Sequence, residues 1–145
     1  MSQKTILVVD DEKDILEIFS DYFSDYKVHT ASHPHEVLKL IKDHTIDVIV
    51  SDINMPKMSG LEMMSEIRRL GYNMPVIFMT GFSDVQKIKE AWKLGAYDFI
   101  DKPVNFETLT SVIKNALIFG VSIPEQKSIE SNSLVSLQIN MKNED

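Results

Sequence analysis

The sequence alternates five times between a short apolar segment and a longer segment in which apolar residues recur at helical spacing. Short apolar segments of this kind predict buried strands, and the longer segments predict helices packed against them. Strands that alternate with helices favour a parallel sheet covered by helices on both faces. The predicted strands are residues 5–9, 27–31, 48–50, 75–79 and 96–100. We therefore predict an α/β protein, a doubly wound (βα)5 parallel sheet.

Residues that cap helices mark where four of the predicted helices begin. A Ser, Thr or Asn side chain at this position accepts a hydrogen bond from the first turn, and a Glu or Gln three residues later can complete a capping box. The predicted caps are Ser32 before Pro34, Ser59 with Glu62, Ser83 with Gln86, and Asn105 or Thr108. Gly71 and Gly95 suit the ends of the third and fourth helices.

Length and composition narrow the classes of protein that fit this pattern. With 145 residues the chain is long enough for one compact domain. It has no cysteine, which excludes a disulfide framework and a thiolate metal site. The formal net charge of -7 disfavours nonspecific nucleic-acid binding, and we expect no direct DNA contact. No apolar run is long enough to span a membrane and the N-terminus lacks signal-peptide features, so we expect a cytoplasmic protein without a membrane partner.

Polar side chains follow four of the predicted strands. Right-handed crossovers bring the carboxyl ends of parallel strands to the same edge of the sheet, which is where ligands bind in open α/β sheets. The residues predicted to meet there are Asp10, Asp11, Asp52, Thr80 and Lys102. Any one of them has an ordinary explanation as a solvated loop residue. Their shared position at strand ends indicates a common site.

Three carboxylates at one edge predict a metal ion. Each pair would repel by roughly 3 kcal/mol at about 5 Å and an effective dielectric of about 20. A hard divalent cation removes that repulsion, and Mg2+ (or Mn2+) takes oxygen ligands. Asp11 and Asp52 are the predicted direct ligands, and Asp10 binds directly or through water. A backbone carbonyl at Asn54 would add a further oxygen.

The same residues suit a second kind of chemistry. A carboxylate can act as a nucleophile and become an aspartyl phosphate, and Asp52 is the candidate. The metal and Lys102 would offset the negative charge of the arriving phosphoryl group. Thr80 can donate a hydrogen bond to a phosphoryl oxygen, and Gly81 beside it leaves room for the group.

Four motifs follow one another along the chain. They are V-V-D-D-E at 8–12, S-D-I-N-M-P-K-M-S-G at 51–60, M-T-G at 79–81 and G-A-Y-D-F-I-D-K-P at 95–103. In this order and at this spacing they resemble the receiver domain of bacterial two-component response regulators, over roughly residues 4–119. The resemblance implies a flavodoxin-like sheet with strand order 2-1-3-4-5.

The resemblance also implies a role for each strand-end residue. These are the phosphoacceptor Asp52, the acidic metal pair Asp10 and Asp11, the switch hydroxyl of Thr80 and the phosphate-binding Lys102. Phe99 falls at the family's switch-aromatic position, where Phe replaces the frequent Tyr. The residues expected to shape the surrounding loops are Met55, Pro56, Gly60 and Pro103.

The function implied by the resemblance is that of a single-domain phosphoreceiver. It would take a phosphoryl group from a histidine kinase or a histidine phosphotransfer protein. It would promote its own phosphorylation and dephosphorylation without being a turnover enzyme. The signal would pass to a protein target through the face built from the fourth helix, fifth strand and fifth helix, around residues 87–106.

Two alternatives to a single-domain receiver stay open at the level of sequence. One is the receiver portion of a larger regulator with an output domain. The other is a phosphatase-like enzyme with an aspartate nucleophile. Such enzymes usually need a second Asp two residues after the first, and this chain has Asn54 there.

The segment after residue 120 differs from the rest of the chain. Residues 121–133 are polar and include Pro124, which predicts a linker outside a domain of residues 1–120. Residues 134–142 then alternate apolar and polar side chains, which predicts an extra strand. Such a strand could pair with an exposed sheet edge in its own chain or in a partner.

Overall fold

A computed structural model describes residues 3–56 and 59–120. The strands are β1 (Thr5–Val9), β2 (Lys27–Ala31), β3 (Val48–Asp52), β4 (Val76–Thr80) and β5 (Asp98–Asp101). The helices are α1 (Lys13–Tyr22), α2 (Pro34–Asp43), α3 (Gly60–Arg69), α4 (Val85–Lys93) and α5 (Phe106–Phe119), and a 3-10 turn (Phe82–Asp84) precedes α4. The strands form one parallel sheet in the order β2-β1-β3-β4-β5. This confirms the predicted flavodoxin-like fold.

The sheet separates two hydrophobic layers. Successive side chains of a strand point to opposite faces, so each strand contributes to both layers. The first layer contains Phe19 of α1, Ile113 of α5 and Val50 of β3. The second contains Ile49 of β3 together with Val37 of α2, Ile67 of α3 and Ala91 of α4. Burial on both faces explains why β3 is a continuous apolar run rather than an alternating one.

Strand pairing decides which residues meet at the carboxyl edge. Asp52 of β3 pairs with Met79 of β4, so Thr80 lies one residue beyond that pair. Thr80 in turn pairs with Asp101 of β5. Asp10 directly follows β1, and its backbone N–H donates to the carbonyl of Ala31 at 3.1 Å. The edge therefore collects residues from four strands within a few positions of one another.

Two strands begin later than predicted. β4 starts at Val76 rather than at residue 75, because Pro75 has no N–H to donate. Its carbonyl still accepts from the N–H of Ile49 at 3.0 Å. β5 starts at Asp98 rather than at residue 96. Gly95, at φ +91°, ends α4, and the N–H of Ala96 returns to the carbonyl of Ala91 at 3.0 Å.

Two of the predicted helix caps are confirmed. The N–H of Glu62 donates to Ser59 Oγ at 3.1 Å, and the N–H of Ser59 donates to Glu62 Oε1 at 3.0 Å. Between the two candidates for α5, the cap is Asn105, whose Oδ1 accepts from the N–H of Thr108 at 2.9 Å. Ser59 and Asn105 thus satisfy N–H groups that the first helical turn leaves without an intrahelical partner.

Two other predicted caps are wrong. At α2 the cap is His33 rather than Ser32, because the Nδ1 of His33 accepts from the N–H of His35 at 3.1 Å. At α4, Ser83 lies inside the 3-10 turn, so the predicted box with Gln86 does not form. The 3-10 turn moves the cap position from Ser83 to Asp84, so α4 starts one residue later than the sequence pattern indicates.

Some predictions fall outside the described residues. They concern the linker and extra strand within residues 121–145, so the domain limit at residue 120 stays a prediction. Residues 57–58 of the loop after β3 lie outside as well. None of the helices in the described ranges is long and apolar enough to cross a membrane.

Gly60 opens α3 where the loop after β3 returns to the sheet. Its N–H donates to the carbonyl of Ile53 at 3.0 Å. A Cβ at this position would lie 2.7 Å from Phe78 Cε1 and 2.8 Å from the backbone oxygen of Asp52. Phe78 is fully buried and the other atom belongs to the backbone, so neither can move aside. Only glycine allows the backbone of α3 to come this close to Phe78 and to the Asp52 backbone.

We expect Gly60→Ala to lower the free energy of unfolding by about 1–3 kcal/mol, because overpacking against fixed atoms outweighs the better helix propensity of alanine. Urea denaturation followed by circular dichroism measures this. Ser65→Ala, at an exposed position of the same helix, is the control and should change little. A Gly60→Ala protein as stable as the wild type would contradict the close approach.

Candidate functional site

Three carboxylates lie together at the carboxyl edge of the sheet. Asp10 follows β1, Asp11 is the next residue, and Asp52 ends β3. Each offers an oxygen, and these oxygens all lie within 4.8 Å of one another. Asp10 and Asp52 are buried, with 3% and 5% of their surfaces exposed, whereas Asp11 is exposed. In the ranges that the structure describes, no other group of three acids or histidines is as close.

The pKa of Asp10 is raised within this cluster. Burial raises the pKa of Asp10 to about 6, and the nearby charge of Asp52 adds to the rise. A hydrogen bond from the N–H of Glu12, 2.9 Å from Asp10 Oδ1, acts in the opposite direction. The cluster therefore holds its negative charge at a cost in free energy, which a bound cation would offset.

Asp52 has a partner on each carboxylate oxygen. Its Oδ1 accepts from the N–H of Asn54 at 3.1 Å, and its Oδ2 lies 3.0 Å from Lys102 Nζ. Burial by itself would lower the pKa of Lys102, but the hydrogen bond and charge of Asp52, together with Asp10, raise it above its ordinary value. The amine therefore stays positively charged beside the carboxylate.

Thr80 and Gly81 form the other side of the site. Thr80 ends β4 and is buried, and its carbonyl accepts from the N–H of Lys102 at 2.8 Å. That bond ties the strand end to the lysine that contacts Asp52. Gly81 is exposed, and its N–H donates to Asp84 Oδ2 at 2.6 Å. The structure thus brings together all five strand-end residues that the sequence assigns to one edge.

The oxygen donors of the cluster fit a hard divalent cation. Three carboxylates without a thiolate or imidazole among them match the ligand preference of Mg2+ rather than that of Zn2+. The two buried acids supply fixed donors, and the exposed Asp11 leaves the site open to solvent. Mg2+ usually keeps several waters, and an open site of this kind permits that.

The family model for the response regulator receiver domain matches residues 6–114. The chain belongs to this family. It is 35% identical to the solved structure of a response regulator receiver domain protein from Clostridium thermocellum, with a TM-score of 0.75, covering 79% of this chain and 94% of that one.

Two curated relatives are longer regulators. Over 114 residues the chain is 34% identical to the regulatory protein AtoC of Escherichia coli strain K12, covering 77% of this chain and 25% of AtoC. It is 30% identical over 137 residues to the probable C4-dicarboxylate response regulator DctR of Priestia megaterium, covering 92% of this chain and 60% of DctR. The chain thus spans a quarter of AtoC and 60% of DctR.

The four residues predicted to shape the surrounding loops differ in burial and in their contacts. Met55 is buried and joins the hydrophobic layer under α3, whereas Pro56 is exposed. Gly60 lies against Asp52 as described above. Pro103 follows Lys102 through a cis peptide bond and is exposed.

Phe99 connects β5 with α4. It is half-buried, and its ring centroid lies 4.9 Å from that of Trp92 in an edge-to-face arrangement. The ring of Phe78 also stacks on Phe99, with centroids 6.2 Å apart. Trp92 itself is 53% exposed. Phe99 therefore links the buried sheet to the outer surface of α4, and any rotation of its ring would change the surroundings of Trp92.

A polar cluster between the loops after β3 and β4 was not predicted from the sequence. Asp84 is 3% exposed, and its Oδ1 accepts from Asn54 Nδ2 at 2.7 Å while its Oδ2 accepts from the N–H of Gly81. Lys87 Nζ contacts Asn54 Oδ1. Burial would raise the pKa of Asp84, but these hydrogen bonds and the charges of Lys87 and Lys102 lower it below its ordinary value. The available signal was an acid three residues after Gly81.

We expect Asp10 to contribute a loss of stability to the metal-free receiver as pH rises from about 4 to about 6. The pKa of Asp10 is about 6 in the folded chain against an ordinary 3.8, so the folded state binds more protons than the unfolded state in this range. The loss should be on the order of 2–3 kcal/mol. Urea denaturation in EDTA at several pH values measures it.

The matched variants for this measurement are Asp10→Asn and Asp25→Asn. Asp10→Asn removes the titrating group and should be more stable than the wild type at pH 7. Asp25 is exposed in the connection between α1 and β2, at the opposite edge of the sheet, and its variant should keep the wild-type slope. An identical pH dependence in wild type and Asp10→Asn would show that Asp10 is not the strained group.

Proposed function

We propose that this receiver domain accepts a phosphoryl group on Asp52 from the phosphohistidine of a histidine kinase or a histidine phosphotransfer protein. The observation that carries the proposal is the 3.0 Å contact between Asp52 Oδ2 and Lys102 Nζ inside a cluster of three carboxylates. An Asp52 oxygen attacks the phosphorus, and the phosphorus–nitrogen bond breaks with its electron pair leaving on the imidazole. The product is an aspartyl phosphate.

The acids of the site would hold the metal ion of this reaction. Asp10, Asp11 and Asp52 supply carboxylate oxygens, and the backbone carbonyl of Asn54 adds a fourth donor. Bound Mg2+ or Mn2+ supplies positive charge next to the transferring group. Lys102 contributes a second positive charge from the protein itself, on the Oδ2 side of Asp52.

Thr80 and Gly81 would respond to the new group. Phosphorylation adds about -1.5 to -2 charges, and the Thr80 hydroxyl can donate to a phosphoryl oxygen. Since Thr80 ends β4, its movement pulls the 3-10 turn and α4. Phe99 then rotates and repacks against Trp92, which remodels the α4–β5–α5 face for a protein target. The required bias between the two states is on the order of 3–5 kcal/mol, within reach of charge-assisted hydrogen bonds.

The chain length relative to the curated relatives supports a second arrangement. Because the chain spans 25% of AtoC and 60% of DctR, the same receiver can work as one domain of a larger regulator. The chemistry at Asp52 is the same in both arrangements. A phosphatase-like enzyme is less favoured, because its second carboxylate would be needed at Asn54, whose side-chain amide donates to Asp84.

A phosphotransfer assay tests the proposal. The wild type, incubated with Mg2+ and a panel of phosphorylated histidine kinases, should gain the mass of one phosphoryl group. Asp52→Asn should gain none, while Asp25→Asn should match the wild type because it lies at the far edge of the sheet. Labelling of the Asp52→Asn protein to the wild-type level would refute Asp52 as the phosphoacceptor.

Metal binding has its own prediction. Mg2+ should raise the melting temperature of the wild type, because a ligand that binds only the folded state stabilises it. Without metal, Asp52→Asn should be more stable than the wild type, since the substitution removes repulsion with Asp10 and Asp11. A wild-type melting temperature that does not respond to Mg2+ would count against the site.

Thr80→Ala separates phosphorylation from signalling. The variant should still accept the phosphoryl group on Asp52, but it should transmit little change to the α4–β5–α5 face because the hydroxyl donor is missing. Amide chemical shifts around Phe99, recorded with the phosphoryl mimic beryllofluoride, measure the coupling. Equal shifts in wild type and Thr80→Ala would exclude the hydroxyl as the link.

A further inference from the structure

The Asp84 carboxylate ties two loops of the site together. One oxygen accepts from the N–H of Gly81 in the loop after β4, at 2.6 Å, and the other accepts from Asn54 Nδ2 in the loop after β3, at 2.7 Å. Lys87 of α4 contacts the same Asn54 side chain. Only 3% of Asp84 is exposed, so water competes little for these bonds.

Capping of α4 does not account for this carboxylate. Asp84 occupies the position before the helix, where an Asp side chain ordinarily accepts from an N–H of the first turn. In the structure its side chain makes no such bond and turns back to Gly81 instead. The bond from Gly81 is the capping-box contact of the 3-10 turn, whereas the bond from Asn54 reaches Asp84 from the loop after β3, so capping accounts for only one of the two.

Both groups that Asp84 holds are next to the phosphoacceptor. The backbone N–H of Asn54 donates to Asp52 Oδ1 at 3.1 Å. Gly81 follows Thr80, which lies one residue beyond the pairing partner of Asp52. The Gly81 N–H therefore lies within the site and already donates its hydrogen bond to the Asp84 carboxylate.

We propose that Asp84 is a positioning residue that holds the receiver in its unphosphorylated arrangement by accepting the hydrogen bond of the Gly81 N–H. The inference rests on the proposed phosphorylation of Asp52. When the phosphoryl group arrives, its oxygens become competing anionic acceptors for that N–H. The Gly81 N–H leaves Asp84 and donates to a phosphoryl oxygen, which frees the 3-10 turn at the start of α4. Asp84 thus opposes phosphorylation and sets the resting state.

Trp92 offers a direct readout of this exchange. It is the only tryptophan of the chain and contacts Phe99, so its fluorescence follows rearrangement at α4 and β5. Titration with beryllofluoride in Mg2+ gives an affinity for the phosphorylated arrangement. Asp84→Asn and Asp84→Ala should bind beryllofluoride about tenfold more tightly, because the charge-assisted bond that opposes binding is weakened or lost.

The variants should also change the free protein. Without beryllofluoride, the Trp92 fluorescence of Asp84→Asn and Asp84→Ala should shift toward that of the bound wild type, which a loss of stability alone would not produce. Asp101→Asn is the charge control, since it removes a negative charge from an exposed residue opposite Thr80. An equal gain in affinity for Asp101→Asn would overturn the hydrogen-bond argument.

A measurement on the wild type keeps the test independent of any variant. A through-hydrogen-bond NMR coupling between the Gly81 nitrogen and the Asp84 carboxylate carbon should be present in the free protein and absent with beryllofluoride. Persistence of the coupling would overturn the inference. A wild type that binds no beryllofluoride would instead refute the proposed function, whereas normal wild-type binding with unchanged or weaker binding by both Asp84 variants would overturn the inference alone.

Discussion

Repulsion among three carboxylates held within 4.8 Å is the constraint to which the rest of the site responds. The two buried acids, Asp10 and Asp52, cannot move apart, because β1 and β3 are hydrogen-bonded neighbours buried between two hydrophobic layers. Relief therefore comes from added positive charge and from hydrogen-bond donors. Lys102 supplies the charge, and the N–H groups of Glu12 and Asn54 supply donors. The raised pKa of Asp10 reflects its burial first and the nearby charges of Asp52 and Asp11 second.

The packing leaves one side of the site rigid and the other free to change. On the β3 side, Gly60 lies against Phe78 and the Asp52 backbone too closely to allow even a methyl group. On the β4 side, a Cβ at Gly81 would meet only the Asp84 carboxylate, at 3.7 Å, and Phe82 is fully exposed. The rigid side fixes the Asp52 carboxylate, and the looser side has room to rearrange.

The sequence predicts the positions of Asp10, Asp52 and Thr80 well because each is set by a local rule, the end of a buried apolar run. The sequence pattern does not decide between two neighbouring polar residues that could each cap the same helix. His33 displaces Ser32 as a cap because its ring nitrogen reaches the same turn. The contact between Asp84 and Asn54 is beyond local rules, since it joins residues 30 positions apart through the adjacency of β3 and β4.

The proposed route from Asp52 to the α4–β5–α5 face is short because α4 is held at two points. Its start is tied to the site through Asp84, and its body is fixed by buried Ala91 and by the contact of Trp92 with Phe99. A helix held in this way moves as a unit when one attachment changes, since its internal hydrogen bonds resist local bending. In the proposed switch, exchange of one hydrogen bond at Gly81 would therefore displace the exposed side of α4, which carries Val85 and Trp92.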